Sequence, residues 1–455
     1  MYSDLLSALP EVFGLANFAA VVIGVIAGIV VGAMPGLSAT MAISVLVPFT
    51  FGLEPLVALG LMAGIYNGAM YGGAIPAVLL RIPGTPAAVA TTFDGYPMAQ
   101  KGEGGFALQV AVVSSSIGGI ASAFALMLLA PPLSKVTLLF GPSEVFWVAV
   151  FGLASIIFLL GGNPVKGLIS ACFGVFVSVV GSDPIYGNDR YTFGQLELLD
   201  GVNIVILLVG LYALPPVIDL LETPLKTDGV NSSKLGTEPI WRALPRMYRF
   251  WKTWIRSSII GIWIGILPGA GGSMAAFMSY NEARRASKTP DTWGNGEPEG
   301  VAAAETANNA DTASALIPAL TLGIPGTAVA AVMLGGLLVH GLQPGPMLFR
   351  DNPDVVFGFM WQFLFGAILL VLLGGALATN SFARLLNLPR PLLGSVIIVL
   401  MLIGVYSILG RMFDGYLMLG FGAIGWVMDK LKFPLPPVVL GLILGGFRKA
   451  SWRFS

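Results

Sequence analysis

The chain has 455 residues, of which 56% are hydrophobic and 11% are charged, and its formal net charge is +0 at neutral pH. A soluble domain carries about 25% charged residues, so this composition excludes a soluble protein and predicts a surface that faces lipid. The balanced charge gives no indication of a nucleic-acid partner.

Long apolar runs follow one another along the chain. A lipid core of about 30 Å needs roughly 20 apolar residues per helix, so the runs predict an all-α polytopic membrane protein with roughly 10–12 spans. Residues 1–13 lack the Lys or Arg of a signal peptide, so the first run is predicted to be retained. The runs lie near 14–34, 37–52, 55–80, 105–130, 143–161, 166–181, 202–221, 257–283, 301–323, 327–349, 355–379, 391–409, 413–429 and 433–447.

Glycines recur at every fourth position in the first and third runs. Such patterns of small residues let two membrane helices approach closely. They predict tight helix packing rather than a binding site. The residues are Gly24, Gly28 and Gly32 in one run and Gly60, Gly64, Gly68 and Gly72 in the other.

Two motifs that contain Pro-Gly recur in the same order, which predicts an internal repeat. The segment 28–41 is similar to 261–274, and the segment 75–85 is similar to 317–327. The offset is 233 residues for the first pair (41 to 274) and 242 for the second (85 to 327). Two ordered matches at nearly one offset are difficult to obtain by chance. They predict one membrane half at 1–221, a connecting segment at 222–256 and a second half at 257–455.

The connecting segment is rich in basic residues, which places it in the cytoplasm by the positive-inside rule. An odd number of crossings then separates the two copies of the motif, so the repeat is predicted to be inverted. Inverted repeats with broken helices or re-entrant hairpins are typical of secondary transporters. The basic residues are Lys226, Lys234, Arg242, Arg246, Arg249, Lys252 and Arg256.

Each Pro-Gly motif predicts a break in a membrane helix. Proline lacks a backbone N–H and glycine exposes the backbone, and such breaks are tolerated where they line a cavity or bind a ligand. A helix that begins after the break offers free N–H groups to an anion such as a carboxylate. The alternative is an ordinary loop between complete spans. The substrate-binding residues predicted at the breaks are Gly36, Ser38, Thr40, Gly84, Thr85, Gly271, Ser273, Gly326 and Thr327.

The segment 305–312 is polar, although it aligns with 63–70 inside an apolar run. Carboxylates and amides within a membrane are costly and usually face a cavity or a partner. Because Asn67 matches Asn309 at the offset of 242, both are predicted to line the substrate site where the halves meet. The alternative is polar contact between helices, or a cytoplasmic loop. The residues predicted to couple Na⁺ or H⁺ are Glu305, Asn308, Asp311 and Thr312.

Single residues of other kinds give weaker indications. Arg81 is suited to pairing with a substrate carboxylate, but its counterpart is Gly323, and an arginine that reaches the interface is an equal alternative. His340 and Cys172 are the sole residues of their types, so no internal disulfide forms and no nucleophile–base pair is indicated. The sequence contains no P-loop and no metal-ligand cluster. We therefore predict no enzyme activity and no cofactor.

Together with the paired motifs, the segment Asp94-Gly95-Tyr96-Pro97-Met98 carries a family resemblance. The chain resembles the large membrane subunit of tripartite tricarboxylate transporters over most of its length, and its end, from Phe447, departs from the family pattern. The resemblance implies a multi-pass permease of the bacterial inner membrane that imports organic carboxylates such as citrate by ion symport. It also implies two partners, a small membrane subunit (TctB-like) and a periplasmic solute-binding protein (TctC-like). The alternatives are a carboxylate channel or facilitator, a structural subunit, and an intramembrane enzyme.

Overall fold

The apolar runs form α-helices in the computed structural model, which describes residues 2–159, 163–183, 188–222, 240–377 and 390–451. Two short antiparallel strands, Gly181–Ser182 and Asp189–Arg190, interrupt the helical pattern of the described residues. The predicted all-α fold is therefore confirmed. Residues 223–239 of the connecting segment, which include Lys226 and Lys234, lie outside the described residues, and so do residues 452–455. The described end of that segment is helical.

The helices are numbered in chain order. Those of the first half are α1 Tyr2–Ser7, α2 Leu9–Val12, α3 Leu15–Ala33, α4 Ala39–Thr50, α5 Pro55–Gly72, α6 Ala74–Leu80, α7 Thr91–Gln100, α8 Gly104–Thr137, α9 Pro142–Leu159, α10 Pro164–Ser178 and α11 Ile204–Glu222. The connecting segment contains α12 Ile240–Met247 and the start of α13 Trp251–Ile266. The second half continues with α14 Gly271–Ala286, α15 Pro298–Ser314, α16 Leu316–Leu322, α17 Ala328–Val339, α18 Pro346–Asp351, α19 Pro353–Leu377, α20 Arg390–Leu409, α21 Met412–Lys430 and α22 Pro436–Ser451.

Among the described residues, five helices are long and apolar enough to cross a membrane, namely α3, α8, α11, α19 and α20. Other segments that the sequence predicted as single runs are interrupted. The run 55–80 divides into α5 and α6 at Gly73, and the run 301–323 divides into α15 and α16 at Ala315. The chain is thus a multi-pass membrane protein in which complete spans are mixed with shorter helices.

The glycine patterns bring α3 against α5, as predicted. A Cβ atom built on Gly28 would lie 2.4 Å from the carbonyl oxygen of Ile65, so a side chain larger than hydrogen does not fit there. A Cβ atom built on Gly261 of α13 would likewise lie 2.4 Å from the carbonyl oxygen of Ala307 in α15. Gly28 matches Gly261 and Ile65 matches Ala307 at the repeat offsets. The pair α3 and α5 and the pair α13 and α15 therefore pack through equivalent backbone contacts.

Both Pro-Gly motifs break their helices as predicted. Gly36 and Gly269 have φ of 96° and 88°, a left-handed conformation that favours glycine, and each lies in the turn of a helical hairpin. The returning helix α4 is 12 residues long, which is too short for a complete span. In the second motif the amide of Gly84 donates to Gly73 at 3.1 Å, and that of Gly326 donates to Ala315 at 3.3 Å. The short α4 does not fit the alternative of an ordinary loop between two complete spans.

The helices α8 and α19 occupy equivalent places in the two halves and show how the halves are related. The Ser116 hydroxyl donates to the carbonyl of Ala367 at 2.7 Å, while Val112 packs beside Gly374. As the residue number decreases along α8 from Ser116 to Val112, the contacting residue number on α19 increases from Ala367 to Gly374. The two helices therefore run antiparallel. Equivalent helices that run in opposite directions make the repeat inverted, in agreement with the sequence prediction.

Candidate functional site

The polar segment of the second half lies inside the protein. Every residue from Gly300 to Ser314 of α15 is buried, and α15 packs against α8, α13 and α14. The alternative of a cytoplasmic loop is therefore wrong. Because α15 is surrounded by helices of both halves, its polar side chains lie where the halves meet.

Glu305 is held by two hydroxyl groups of the first half. Thr91 at the start of α7 donates to one carboxyl oxygen, and Ser115 of α8 donates to the other at 3.0 Å. A buried carboxyl is tolerated when hydrogen bonds satisfy its oxygens. Glu305 thus ties α15 to α7 and α8 in this structure.

Asp311 has a different environment, although it is equally buried. None of the described residues makes a hydrogen bond of normal geometry to either of its carboxyl oxygens. The group approaches the backbone amide of Gly272. The side-chain oxygen of Asn308 also has no donor, and it lies 2.8 Å from the position of a Cβ built on Gly272. Three oxygen atoms without hydrogen bonds therefore lie beside the first turn of α14.

The starts of two helices converge at this point. α14 begins at Gly271, and α17 begins after Thr327, whose hydroxyl accepts from the amide of Ala330 at 3.1 Å. A Cβ built on Gly271 would lie 3.9 Å from the Thr327 methyl carbon. The first amides of a helix lack partners within the helix and carry partial positive charge. The arrangement therefore offers N–H groups from two helices next to the free oxygens of Asp311.

The structure also adds Tyr66 to the site, a residue that the sequence analysis did not select. Its hydroxyl and that of Thr327 hydrogen-bond at 3.3 Å. Tyr66 occupies the position that matches Asn308 at the offset of 242, and that correspondence is the signal that identifies it. The first half thus contributes an aromatic hydroxyl where the second contributes an amide.

The two matched asparagines are equivalent but make no contact with each other among the described hydrogen bonds. Asn67 donates to Ala63 at 3.1 Å, and Asn309 donates to Glu305 at 3.0 Å, in each case to the carbonyl four residues earlier. Both side chains are buried. Their predicted place in a shared substrate cavity stays a prediction.

The remaining predicted residues lie in three environments. Ser38 caps α4 by accepting from the amide of Met41 at 3.2 Å, and Gly36 and Thr40 belong to the same hairpin. Gly84 and Gly326 serve close backbone packing, against the carbonyls of Gly32 and Gly265. Thr85 is buried, and its hydroxyl has no hydrogen-bond partner among the residues that the structure describes. Ser273 is half-buried in α14, and the Thr312 hydroxyl donates to the Asn309 carbonyl at 2.7 Å.

Asp94 makes the most extensive set of hydrogen bonds near the site. One carboxyl oxygen accepts from the amides of Gly294, Gly296 and Glu297 at 2.8, 2.9 and 2.8 Å, and the other accepts from the hydroxyl of Tyr280 at 2.7 Å. Asp94 is fully buried in α7. It therefore fastens the first half to α14 and to the loop before α15.

Replacing Asp94 with alanine is expected to destabilise the protein by about 2–6 kcal/mol, because four hydrogen bonds that contribute about 0.5–1.5 kcal/mol each are lost. Tyr280→Phe removes one of the four hydrogen bonds and should cost about 1–2 kcal/mol. The midpoint of thermal unfolding in detergent measures both effects. Glu103→Ala, an exposed position at the start of α8, is the control. Equal unfolding midpoints for Asp94→Ala and the control would contradict this assignment.

Comparisons with known proteins agree with the architecture. The sequence pattern of the "Tripartite tricarboxylate transporter TctA family" matches residues 18–440. A protein of Agrobacterium vitis, described as an uncharacterized 52.8 kDa protein in the TAR-I ttuC' 3' region, is 35% identical over 426 residues, which are 93% of this chain and 84% of the relative. Another from that organism, described as an uncharacterized protein in the TAR-II ttuC' 3' region, is 36% identical over 185 residues, or 41% of this chain and 76% of the relative. No solved structure matches the chain.

Proposed function

Because this chain belongs to the tripartite tricarboxylate transporter TctA family, we propose that it is the permease subunit through which an organic carboxylate crosses the bacterial inner membrane by symport with Na⁺ or H⁺. A tricarboxylate such as citrate is the proposed substrate class. A periplasmic solute-binding protein delivers the substrate, and a small membrane subunit completes the transporter.

The convergence of the starts of α14 and α17 is the observation that supports this function best. A carboxylate is stabilised by free helix-start amides and by hydroxyl donors. Gly271 and Thr327 supply these helix starts, and Tyr66 supplies a further hydroxyl. Broken helices that meet between inverted halves are typical of substrate sites in secondary transporters.

Asp311 supports the proposed coupling to a cation. An ionised carboxylate that is buried without donors costs several kcal/mol, so its oxygens need a proton or a metal cation. The nearby oxygen of Asn308 is a suitable further ligand for Na⁺, which prefers oxygen donors. A cation at Asp311 also offsets the negative charge of a carboxylate at the adjacent helix starts. Binding of each ion would then favour binding of the other. The predicted coupling roles of Glu305 and Thr312 and the substrate role of Asn309 stay predictions.

Uptake into sealed vesicles tests the function. The complete three-subunit transporter is expected to accumulate radiolabelled citrate above the external concentration while an inward Na⁺ or H⁺ gradient is present. Accumulation should collapse when an ionophore dissipates that gradient or when the solute-binding protein is omitted. Uptake that stops at equal concentrations on both sides, with or without the gradient, would instead establish a channel or facilitator.

A further inference from the structure

A basic and aromatic surface precedes the second helical hairpin. It consists of α12, a single turn at Tyr248–Phe250, and the start of α13. The stretch from Ile240 to Arg256 contains five basic residues and no acidic residue. The basic residues are Arg242, Arg246, Arg249, Lys252 and Arg256.

One face of this stretch packs into the protein and the opposite face is exposed. Ala243, Met247 and Phe250 are buried in the apolar cluster around α8. Trp241 and Tyr248 are 70% and 74% exposed. A short amphipathic helix with basic and aromatic side chains on its outer face is typical of a segment that lies in the membrane interface.

The cations of this surface lie against aromatic rings. The guanidinium carbon of Arg246 is 4.2 Å from the ring centre of Phe106, and that of Arg249 is 4.9 Å from the ring centre of Phe250. The Lys252 ammonium is 5.5 Å from the ring centre of Trp251. These contacts keep the apolar stems packed while the charged groups remain exposed.

An exposed apolar stripe continues from this surface along α13. Trp251, Ile255, Ile259 and Trp263 recur every four residues, so they share one face of the helix. Their exposed fractions are 47%, 54%, 52% and 66%. An exposed apolar and aromatic stripe of this kind is suited to contact with lipid acyl chains. Arg249 and Lys252 lie within one helical turn of Trp251, where the stripe begins, and Arg246 lies five residues before it.

The first half shows that the hairpin itself does not need these charges. Its equivalent helix α3 builds the same backbone contact with α5 that α13 builds with α15. Residues 1–52, which include α3, contain no Lys or Arg, and Asp4 and Glu11 precede that helix. The fold therefore tolerates either charge pattern at this place, and the backbone contact of the hairpin does not account for the cations before α13. The positive-inside rule places these cations at the cytoplasmic surface, where anionic lipid headgroups lie.

We propose that this surface is a binding site for an anionic phospholipid of the bilayer. Arg246, Arg249 and Lys252 hold the phosphate group, and the acyl chains lie along the stripe from Trp251 to Trp263. Opposite charges select an anionic headgroup, and the stripe requires that the headgroup carry chains. The site is independent of the substrate site, which lies at the starts of α14 and α17.

The test titrates the delipidated full chain in detergent with phosphatidylglycerol and counts bound lipids by native mass spectrometry. The triple variant Arg246→Gln, Arg249→Gln, Lys252→Gln should bind on the order of 100-fold more weakly, since each interfacial cation contributes roughly fivefold. Arg284→Gln, Arg285→Gln, Lys288→Gln is the control, because it removes the same charge from another exposed surface. It should bind like the unaltered protein, and phosphatidylcholine should bind weakly to all three.

Three results would overturn the proposal. Equal affinity of the first triple variant and the unaltered protein would show that these cations do not bind the lipid. An equal loss in the control variant would show that overall charge, not this surface, attracts it. Competition by glycerol phosphate at the same concentration as phosphatidylglycerol would show a soluble phosphate site without a role for acyl chains.

Discussion

Replacing Asp311 with asparagine is expected to abolish gradient-driven uptake while leaving the protein folded. Asparagine keeps the shape of the side chain but neither takes up a proton near neutral pH nor carries charge to hold a cation. Losing one partner of a buried charge pair costs about 3–5 kcal/mol, so uptake should fall by more than about 100-fold. Asp311 makes no side-chain hydrogen bond among the described residues, and asparagine keeps an oxygen that can face the Gly272 amide, so the unfolding midpoint should stay the same or rise.

Glu305→Ala is the matched variant from the same helix, and we expect it to lower the stability of the protein, which Asp311→Asn should not do. It removes the acceptor of Thr91 and Ser115, and the loss of these hydrogen bonds should cost about 2–4 kcal/mol. Vesicle uptake and unfolding midpoints, measured on both variants, separate the two roles. Normal concentrative uptake by Asp311→Asn would refute the coupling site, whereas a large loss of stability in that variant would show that Asp311 has a structural partner.

Replacing Gly28 with valine is expected to prevent correct folding. The new Cβ would lie 2.4 Å from the Ile65 carbonyl and 2.9 Å from the Ala69 amide. Backbone atoms cannot move aside as a flexible side chain can, so α3 and α5 would have to separate. Overpacking typically costs 1–3 kcal/mol and occasionally more, and here the whole helix pair shifts. We expect at least ~4 kcal/mol, a large share of a typical stability of 5–15 kcal/mol.

The monodisperse fraction after detergent extraction measures this effect. Gly261→Val should fail in the same way, since its Cβ meets the Ala307 carbonyl at 2.4 Å. Gly420→Val is the control, because Gly420 is an exposed helical position in α21 with nothing within 4 Å. A monodisperse Gly28→Val protein that unfolds at the normal temperature would show that α3 and α5 are not in close contact in the membrane.

Hydrogen bonds between polar residues that are far apart in the chain could not be predicted from the sequence. Asp311 and Glu305 are both acidic residues in one polar segment, and local pattern gives them the same role. Their difference depends on Thr91 and Ser115, which lie about two hundred positions earlier in the chain. The motif around Asp94 can likewise be recognised in the sequence. Its hydrogen bonds to Gly294, Gly296 and Tyr280 join the two halves and cannot be read from it.

The sequence by itself determined the membrane class, the helical fold, the breaks at the Pro-Gly motifs and the repeat, but not the interruptions at Gly73 and Ala315. These follow from hydropathy and from the local chemistry of proline and glycine, which act within a few residues. Tertiary structure alone decided which buried oxygens are satisfied and that the starts of α14 and α17 meet beside Asp311. The physical reason is that a buried polar group is defined by its partners, and the fold brings those partners from distant parts of the chain.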